Sequence, residues 1–247
     1  MRRVTQSVGS MSFSLFRKTI WRKEPHHFKC CLPNFLNGDW KWTLEELQCR
    51  LKDTQVTTTA LLPSETKGGV VNWVSQWKSR KTDLPISTAL RLVRHYGRLQ
   101  CRLDPSLFWQ AQEQLPEPLA ASQIDIVFDN SFVWVTSGGL RTSLHSDESD
   151  GFLLHLSGKK LCLLISPSCS DKDPKLLQDL LRYRSARGSI EELYFSQGGA
   201  IQGVKPLVAE LSPGDMLYIP KRWLHDIESL HFPTVSIATR FQLSTPV

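Results

Sequence analysis

The chain of 247 residues is 40% hydrophobic and 22% charged, which is ordinary for a soluble globular protein of one large domain or two small ones. Its longest apolar run near the middle, residues 161–165, is too short to cross a bilayer, so we expect no membrane-spanning segment and no membrane partner. The net charge of +6 fits an acidic or ribonucleoprotein partner without singling one out.

The amino-terminal half is predicted to be mostly helical. Residues 1–13 are read as a basic, disordered start, and the first 23 residues lack the apolar stretch of a secretory signal. Residues 14–123 are placed in a helical part of the same domain. Its signals are a capping box at residues 43–46, a loop over residues 63–83 around a turn at Trp73 and Trp77, a helix from Ser87 to His95, and a helix from Asp104 to Leu115.

The carboxy-terminal half, residues 124–247, changes to the pattern of short strands separated by glycine, proline and asparagine. Strands are predicted at residues 124–128, 132–136, 152–156, 160–165, 207–211, 215–219 and 234–241, with one inserted helix at residues 175–184. Short strands with few helices indicate an antiparallel barrel or jelly roll. The predicted fold class is therefore mainly β with α.

Three residues in this half have the types and positions of metal ligands. His145 and Asp147 are two residues apart, so on a strand their side chains lie on one face. His225 follows the predicted strand that ends before Pro220. Two histidines and one carboxylate on neighbouring strands are the ligands of a mononuclear iron(II) site with three open positions. An oxygen-activating enzyme is the leading hypothesis.

The same residues carry a family resemblance. Residues 142–147 resemble the T-x-x-H-x-D strand of the JmjC (jumonji-type, cupin-like) iron(II)- and 2-oxoglutarate-dependent oxygenases. Residues 158–160 resemble the G-x-K start of another strand, and residues 212–229 resemble the strand and turn with the distal histidine. The similarity covers roughly residues 124–243. It implies a double-stranded β-helix (jelly-roll or cupin) core with helical decoration at the amino-terminal side.

The resemblance also implies a role for each matched residue. His145, Asp147 and His225 would hold iron(II), while the 1-carboxylate and keto oxygen of 2-oxoglutarate would chelate it and leave one position for O2. Lys160 and Thr142 would bind the distal carboxylate, which needs a charged partner once it is buried. Trp134 would line the pocket beside the cosubstrate, although packing in the core explains it equally. No catalytic residue beyond the metal site is implied.

Two positions depart from the family pattern. Gly151 stands where many relatives carry asparagine, and Ala238 or Thr239 stands where another asparagine is common. Such residues orient the metal ligands and the cosubstrate, so their loss bears on geometry rather than on metal binding. The departures also motivate a competing hypothesis, a cupin-like binding protein that has lost catalysis.

The other histidines and one basic helix face are not assigned to the metal site. His155 alternates with apolar residues and is read as structural or substrate-facing, and His26 and His27 are read as non-ligands. Arg91, Arg94 and Arg98 recur at helical spacing beside His95. A solvated face is the default interpretation, and contact with RNA or the ribosome is the alternative.

The cysteines bear on the compartment. None of them forms a C-x-x-C pair, so free thiols in a reducing compartment are expected; they are Cys30, Cys31, Cys49, Cys101, Cys162 and Cys169. An intracellular protein follows, cytoplasmic in the first place, with the nucleus and mitochondria left open. The sequence does not indicate the oligomeric state.

The preferred reaction is hydroxylation of a protein or peptide side chain, because no chromatin-reader module or zinc finger is recognisable and demethylation is less attractive. Hydroxylation of a modified RNA base or of a small molecule is the second hypothesis. The catalytically inactive binding protein is the third. Joint binding of iron(II) and 2-oxoglutarate separates the first two from the third.

Overall fold

The structure is a computed structural model that describes residues 2–9, 11–32, 44–50, 55–60, 71–72, 81–102, 116–117, 119–121, 123–168, 190, 206–231 and 233–244. Within these ranges the chain is mainly β, with two mixed sheets and three α-helices. The helices are α1 (Phe13–Thr19), α2 (Leu44–Arg50) and α3 (Ile86–Tyr96). No helix in the described part is long and apolar enough to cross a membrane.

The smaller sheet has six strands in the order β1-β13-β12-β15-β10-β5. They are β1 (Arg2–Arg3), β5 (Val71–Asn72), β10 (Leu140–His145), β12 (Lys160–Ile165), β13 (Leu207–Leu211) and β15 (Leu224–Ser229). Strand β15 pairs antiparallel with both β10 and β12. It therefore joins the strand of His145 to the strand of Lys160.

The larger sheet runs in the order β2-β3-β14-β11-β16-β9-β7-β4-β6, and β8 pairs with β16 beside this path. Its strands are β2 (Thr5–Val8), β3 (His26–Lys29), β4 (Gln55–Ala60), β6 (Lys81–Pro85), β7 (Gly97–Arg102), β8 (Ile124–Ile126), β9 (Phe132–Thr136), β11 (Asp150–Ser157), β14 (Met216–Ile219) and β16 (Thr234–Leu243). A 3-10 turn at Phe128–Asn130 precedes β9.

All seven predicted strands of the carboxy-terminal half are present, and four of them have slightly shifted ends. The amino-terminal half contains more strands than its sequence predicted, since β4, β6 and β7 extend the larger sheet beyond β9. Residues 2–9 belong to the segment that was predicted to be disordered, but they contain β1 and β2. The predicted helices at residues 104–115 and 175–184 lie outside the described residues.

Two apolar clusters hold the fold together. The first covers the outer face of the larger sheet, where Phe16 of α1 packs with Phe152 and Tyr218, and it also includes Val93 of α3. Helix α1 starts where the Ser12 hydroxyl accepts a hydrogen bond from the Leu15 amide at 3.3 Å, a typical N-cap.

The second cluster fills the space between the sheets, since it takes residues from both. Its members are Val4, Leu153, Cys162, Leu164, Ala209, Leu211, Leu217, Ile219, Trp223 and Ala238, with Trp134, Leu207 and Ile227 against it. Burial of both faces of the larger sheet explains why β11 is buried at almost every position rather than at alternate ones. The space between the sheets is called the interior below.

Candidate metal centre

The three predicted ligands come together in the structure. His145, Asp147 and His225 each offer one ligand atom, and these atoms all lie within 4.8 Å of one another. His145 ends β10 and is paired with His225 of β15, and their ring centroids are 4.2 Å apart. The cluster combines two imidazoles with one carboxylate, a donor set that suits iron(II) and leaves positions open for other ligands.

Hydrogen bonding orients His225 toward the cluster. Its Nδ1 lies 2.9 Å from the Trp223 carbonyl oxygen, which can only accept, so Nδ1 carries the proton. Nε2, the other ring nitrogen, then points toward the Asp147 carboxylate, whose Oδ2 is 3.4 Å away. Metal-binding histidines are commonly fixed in this way, by a second hydrogen bond from the ring nitrogen that does not bind the ion.

Asp147 is held in its ionised form. Burial alone would raise the pKa of this carboxyl, but the hydrogen bond and charge of His225 and the charges of Arg240 and His145 oppose it. The net effect lowers the pKa of Asp147 well below its usual range. The residue is therefore a carboxylate at any physiological pH, as metal binding requires.

Arg240 is a member of the site that the sequence did not predict. Its Nη2 donates to Asp147 Oδ2 at 2.5 Å, and its Nη1 donates to the Thr239 carbonyl at 3.2 Å. On the neighbouring strand Gly151 is its cross-strand partner. A Cβ at position 151 would lie 2.8 Å from both Arg240 Nη1 and the Thr239 carbonyl oxygen, so a side chain there would collide with the guanidinium and with the backbone.

The smaller sheet arranges interior side chains in three successive rows. His145, His225 and Leu164 form the first, Thr142, Ile227 and Cys162 the second, and Leu140, Ser229 and Lys160 the third, as their Cα pairing shows. The first and third rows are four residues apart, or about 13 Å along the strands. The metal cluster and the predicted carboxylate-binding lysine therefore lie on one face, with Thr142 between them.

Buried polar groups surround Lys160 in the third row. Lys160 is 5% exposed, and its Nζ donates to the Ser229 hydroxyl at 3.2 Å. That hydroxyl lies 2.7 Å from the Thr136 hydroxyl. A buried ammonium beside two hydroxyls can bind a carboxylate through charge-assisted hydrogen bonds.

Residues of the larger sheet lie near Lys160 on the opposite side of the interior. Trp134 and His155 pair with the two sides of Ser236 across the sheet, and Trp134 packs against the interior cluster. His155 is buried, with its ring nitrogens 3.2 Å from the Ser236 hydroxyl and 3.0 Å from the Gly158 carbonyl oxygen. Burial, and then the charge of Lys160, lower the pKa of His155 to about 4. It is therefore a neutral ring near the lysine.

His26 and His27, which were interpreted as non-ligands, both contact polar groups of neighbouring segments. His27 Nε2 lies 3.0 Å from Asp215 Oδ2, and His26 Nε2 lies 3.0 Å from the Ser7 hydroxyl. Both contacts tie β3 to its neighbours. Of the basic helix face, Arg91 is exposed, while the side chains of Arg94 and Arg98 lie outside the described residues.

Sequence reasoning missed Ser229, Thr136 and Arg240. Side chains alternate between the two faces of a strand, and this rule could have pointed to these residues. Ser229 is four residues after His225 on one strand, and Thr136 is two residues after Trp134 on another. Arg240 is two residues after Ala238 on β16. The sequence could not tell which of these side chains meets which partner, because that depends on pairing between distant strands.

Comparison with known proteins identifies the family. A sequence model of the cupin-like domain matches residues 79–243. The chain belongs to the cupin-like domain family. The JmjC-type resemblance of the motif residues is thereby confirmed, together with the mainly β, jelly-roll class of fold.

A curated relative of this cupin-like chain is tRNA wybutosine-synthesizing protein 5 of Gallus gallus, 29% identical over 119 residues. The match covers 48% of this chain and 35% of the relative.

Two structures of YcfD, a ribosomal oxygenase from Escherichia coli, share the fold. The one with cobalt and succinic acid has a TM-score of 0.57 at 16% identity, over 99% of this chain and 54% of that chain. The other has a TM-score of 0.56 at 17% identity, over 100% of this chain and 54% of that chain. The cupin-like chain thus spans about half the length of these neighbours, and the similarity concerns the fold.

Proposed function

We propose that this cupin-like protein is an iron(II)- and 2-oxoglutarate-dependent dioxygenase that hydroxylates its substrate. The observation that carries the proposal is the shared interior face, which has a His-Asp-His cluster at one end and a buried lysine at the other. When bound, iron(II) and 2-oxoglutarate would supply the oxidant, so that substrate C–H, O2 and 2-oxoglutarate give the hydroxylated product, succinate and CO2.

The residues of this chain would position the components. His145, Asp147 and His225 would hold iron(II), with His225 fixed through its bond to the Trp223 carbonyl. Lys160 would bind the distal carboxylate of 2-oxoglutarate, assisted by Thr142 and by the Ser229 hydroxyl that the lysine already contacts. Trp134 would cover this end of the cosubstrate and exclude water, which strengthens the buried ion pair.

A protein side chain is the substrate class that we expect from the sequence, with hydroxylation preferred to demethylation. A modified base in RNA is a second candidate. The tRNA-modifying name of the curated relative favours it, as does the basic character of the chain, which has a net charge of +6.

An anaerobic titration with iron(II) and 2-oxoglutarate tests the proposal. Joint chelation at a three-ligand site should produce a weak visible metal-to-ligand charge-transfer band, and His145→Ala should abolish it. Lys160→Ala should need about 10–100-fold more 2-oxoglutarate, because a charge-assisted hydrogen bond contributes about 1.5–3 kcal/mol. Lys159→Ala is the matched control, since this neighbouring lysine is exposed and pairs with Glu210.

The titration also separates the oxygenase from the inactive binding protein. A band with succinate formation in air supports the oxygenase. Absence of a band at saturating iron(II) and 2-oxoglutarate, in protein that remains folded, would refute the proposed function and leave the cupin-like binding protein as the better account.

A further inference from the structure

We infer that four cationic side chains beside the metal cluster form a binding surface for the phosphodiester backbone of an RNA substrate. They are Arg22, Lys221, Arg222 and Arg240, called the basic rim below. The inference rests on the proposed function, because it assigns a substrate class to that same site.

One short loop brings the basic rim to the metal cluster. The loop runs from Asp147, a predicted metal ligand, to Asp150 at the start of β11. Arg240 Nη2 bonds the Asp147 carboxylate, and the amide of Arg222 donates to the Asp147 carbonyl at 2.8 Å. Arg22 Nε and the amide of Lys221 donate to the Asp150 carboxylate, each at 3.3 Å. All four rim residues thus contact a loop that begins at the cluster.

Three of the four rim side chains are exposed, and the Arg240 side chain is 21% exposed, whereas most of the opposing charge is not exposed. Lys221 and Arg222 are exposed, and the Arg22 side chain is 52% exposed. Asp150 is buried, and its Oδ1 also accepts a hydrogen bond from the Tyr218 hydroxyl at 2.7 Å. Asp147 would be occupied by the metal. Glu148 is then the acid of this loop that remains exposed, against three exposed cations.

Backbone conformation fixes the positions of two rim residues. Arg22 has φ +56° and Arg222 has φ +65°. This left-handed region is disfavoured for residues with a long side chain and is usually occupied by glycine, asparagine or aspartate. Both positions hold arginine instead. In these conformations the Arg22 amide donates to the Tyr218 hydroxyl at 2.9 Å and the Arg222 amide donates to the Asp147 carbonyl at 2.8 Å, so both side chains start from fixed points beside the loop.

The chemistry of the rim favours phosphate over an acidic peptide. Three of its four cations are arginines, whose planar groups form bidentate hydrogen bonds with phosphate. The Arg22 guanidinium also lies over the half-buried Trp21 ring, with Cζ 4.5 Å from the centroid. Stacked arginine and aromatic planes are the surfaces on which RNA-binding proteins place unpaired bases.

Binding of a fluorescein-labelled RNA hairpin, measured by anisotropy at several salt concentrations, tests the inference. The test variant is Lys221→Glu/Arg222→Glu, which reverses two exposed charges and leaves the Arg240 contact with Asp147 in place. Its control is Arg2→Glu/Arg3→Glu, an adjacent pair that is also exposed, on β1 at the edge of the smaller sheet. Both variants change the net charge equally.

The rim variant should bind the hairpin at least about tenfold more weakly, and the slope of log Kd against log salt should fall by about 2, one unit for each lost phosphate contact. The control should bind nearly as well as wild type. Equal weakening in both variants would mean that binding follows net charge, and unchanged binding in the rim variant would mean that the rim is unused. Either result overturns the inference.

Two further measurements in the same samples separate this inference from the proposed function and from a protein partner. A charge-transfer band in wild type without RNA binding would overturn the rim assignment and leave the oxygenase intact. RNA binding without the charge-transfer band would refute the proposed oxygenase and leave the rim assignment intact. If a polyglutamate peptide binds more tightly than the hairpin and is lost in the rim variant, the surface recognises an acidic protein and the RNA assignment fails.

Discussion

Arg141 and Asp226 form an ion pair on the face of the smaller sheet that points away from the interior. Both side chains are fully buried, and Arg141 Nε lies 2.8 and 2.9 Å from the two oxygens of Asp226 while Nη2 donates at 2.5 Å. The pair joins β10 to β15, next to Thr142 and His225. Removing the Asp226 carboxylate would leave a guanidinium in the protein without this partner.

We predict that Asp226→Ala lowers the free energy of unfolding by about 3–5 kcal/mol, the usual cost of breaking one side of a buried ion pair. In a chain of this size the melting temperature should fall by about 6–20 °C. Urea unfolding followed by circular dichroism measures the loss. The exposed pair Lys159–Glu210, at 3.5 Å, provides the control, since Glu210→Ala should cost about 1 kcal/mol or less.

A double variant tests the cause of this loss. Arg141→Met/Asp226→Leu removes both charges and keeps apolar volume, so it should recover most of the stability lost in Asp226→Ala. The reasoning would be refuted if Asp226→Ala cost less than about 1 kcal/mol, or if the double variant were no more stable than the single one.

Three further predictions concern His155, two glycines and two cysteines. The pKa of His155 is about 4 in the folded protein, below its unfolded value of about 6.5. The unfolded state therefore binds more protons between these pH values, and about 3 kcal/mol of stability is lost as the pH falls through them. Urea unfolding at pH 7 and pH 4.5 should show a smaller loss of stability in His155→Gln than in the wild type. Gly158→Ala, where φ is +79° and a Cβ would lie 2.7 Å from the Pro233 carbonyl oxygen, should destabilise more than Gly9→Ala, where φ is +75° and nothing lies within 4 Å; roughly 1–3 kcal/mol should separate them in thermal unfolding. Burial raises the pKa of the Cys162 thiol to about 12, so a thiol reagent at pH 8 should modify exposed Cys30 in the folded protein and reach Cys162 only after unfolding.

The sequence predicted strands best where they are apolar and central. Strands β9, β12 and β13 have the predicted ends, because their apolar residues are bounded by turn residues on both sides. The sequence predicted less well at the edge of the larger sheet, where β4 has the polar sequence QVTTTA. Such a segment becomes a strand through pairing with β7, which itself pairs with β9, and non-local pairing leaves no periodic signal.

In the site, too, spacing within one segment could be interpreted from the sequence, whereas pairing between distant strands could not. The spacing of His145 and Asp147 is local, and the two residues do cluster, although β10 ends at His145 and Asp147 lies in the following loop rather than on the same strand face. The pairing of His145 with His225, and of Ser229 with Lys160, depends on register between strands far apart in the sequence. A shift between Thr142 and His145 interrupts that register, so strict alternation along β10 would have placed these two side chains on opposite faces.

Gly151 and Arg240 show why a departure from a family motif is hard to interpret from sequence alone. The absence of asparagine at position 151 suggested a lost orienting group and motivated the inactive-protein hypothesis. In the structure an arginine from the neighbouring strand bonds the Asp147 carboxylate, and it fits because residue 151 has no side chain, since a Cβ there would lie 2.8 Å from its Nη1. The glycine and the arginine are therefore one arrangement, in which a cation from β16 contacts the carboxylate in place of an amide from β11. A missing asparagine here does not by itself indicate a decayed site.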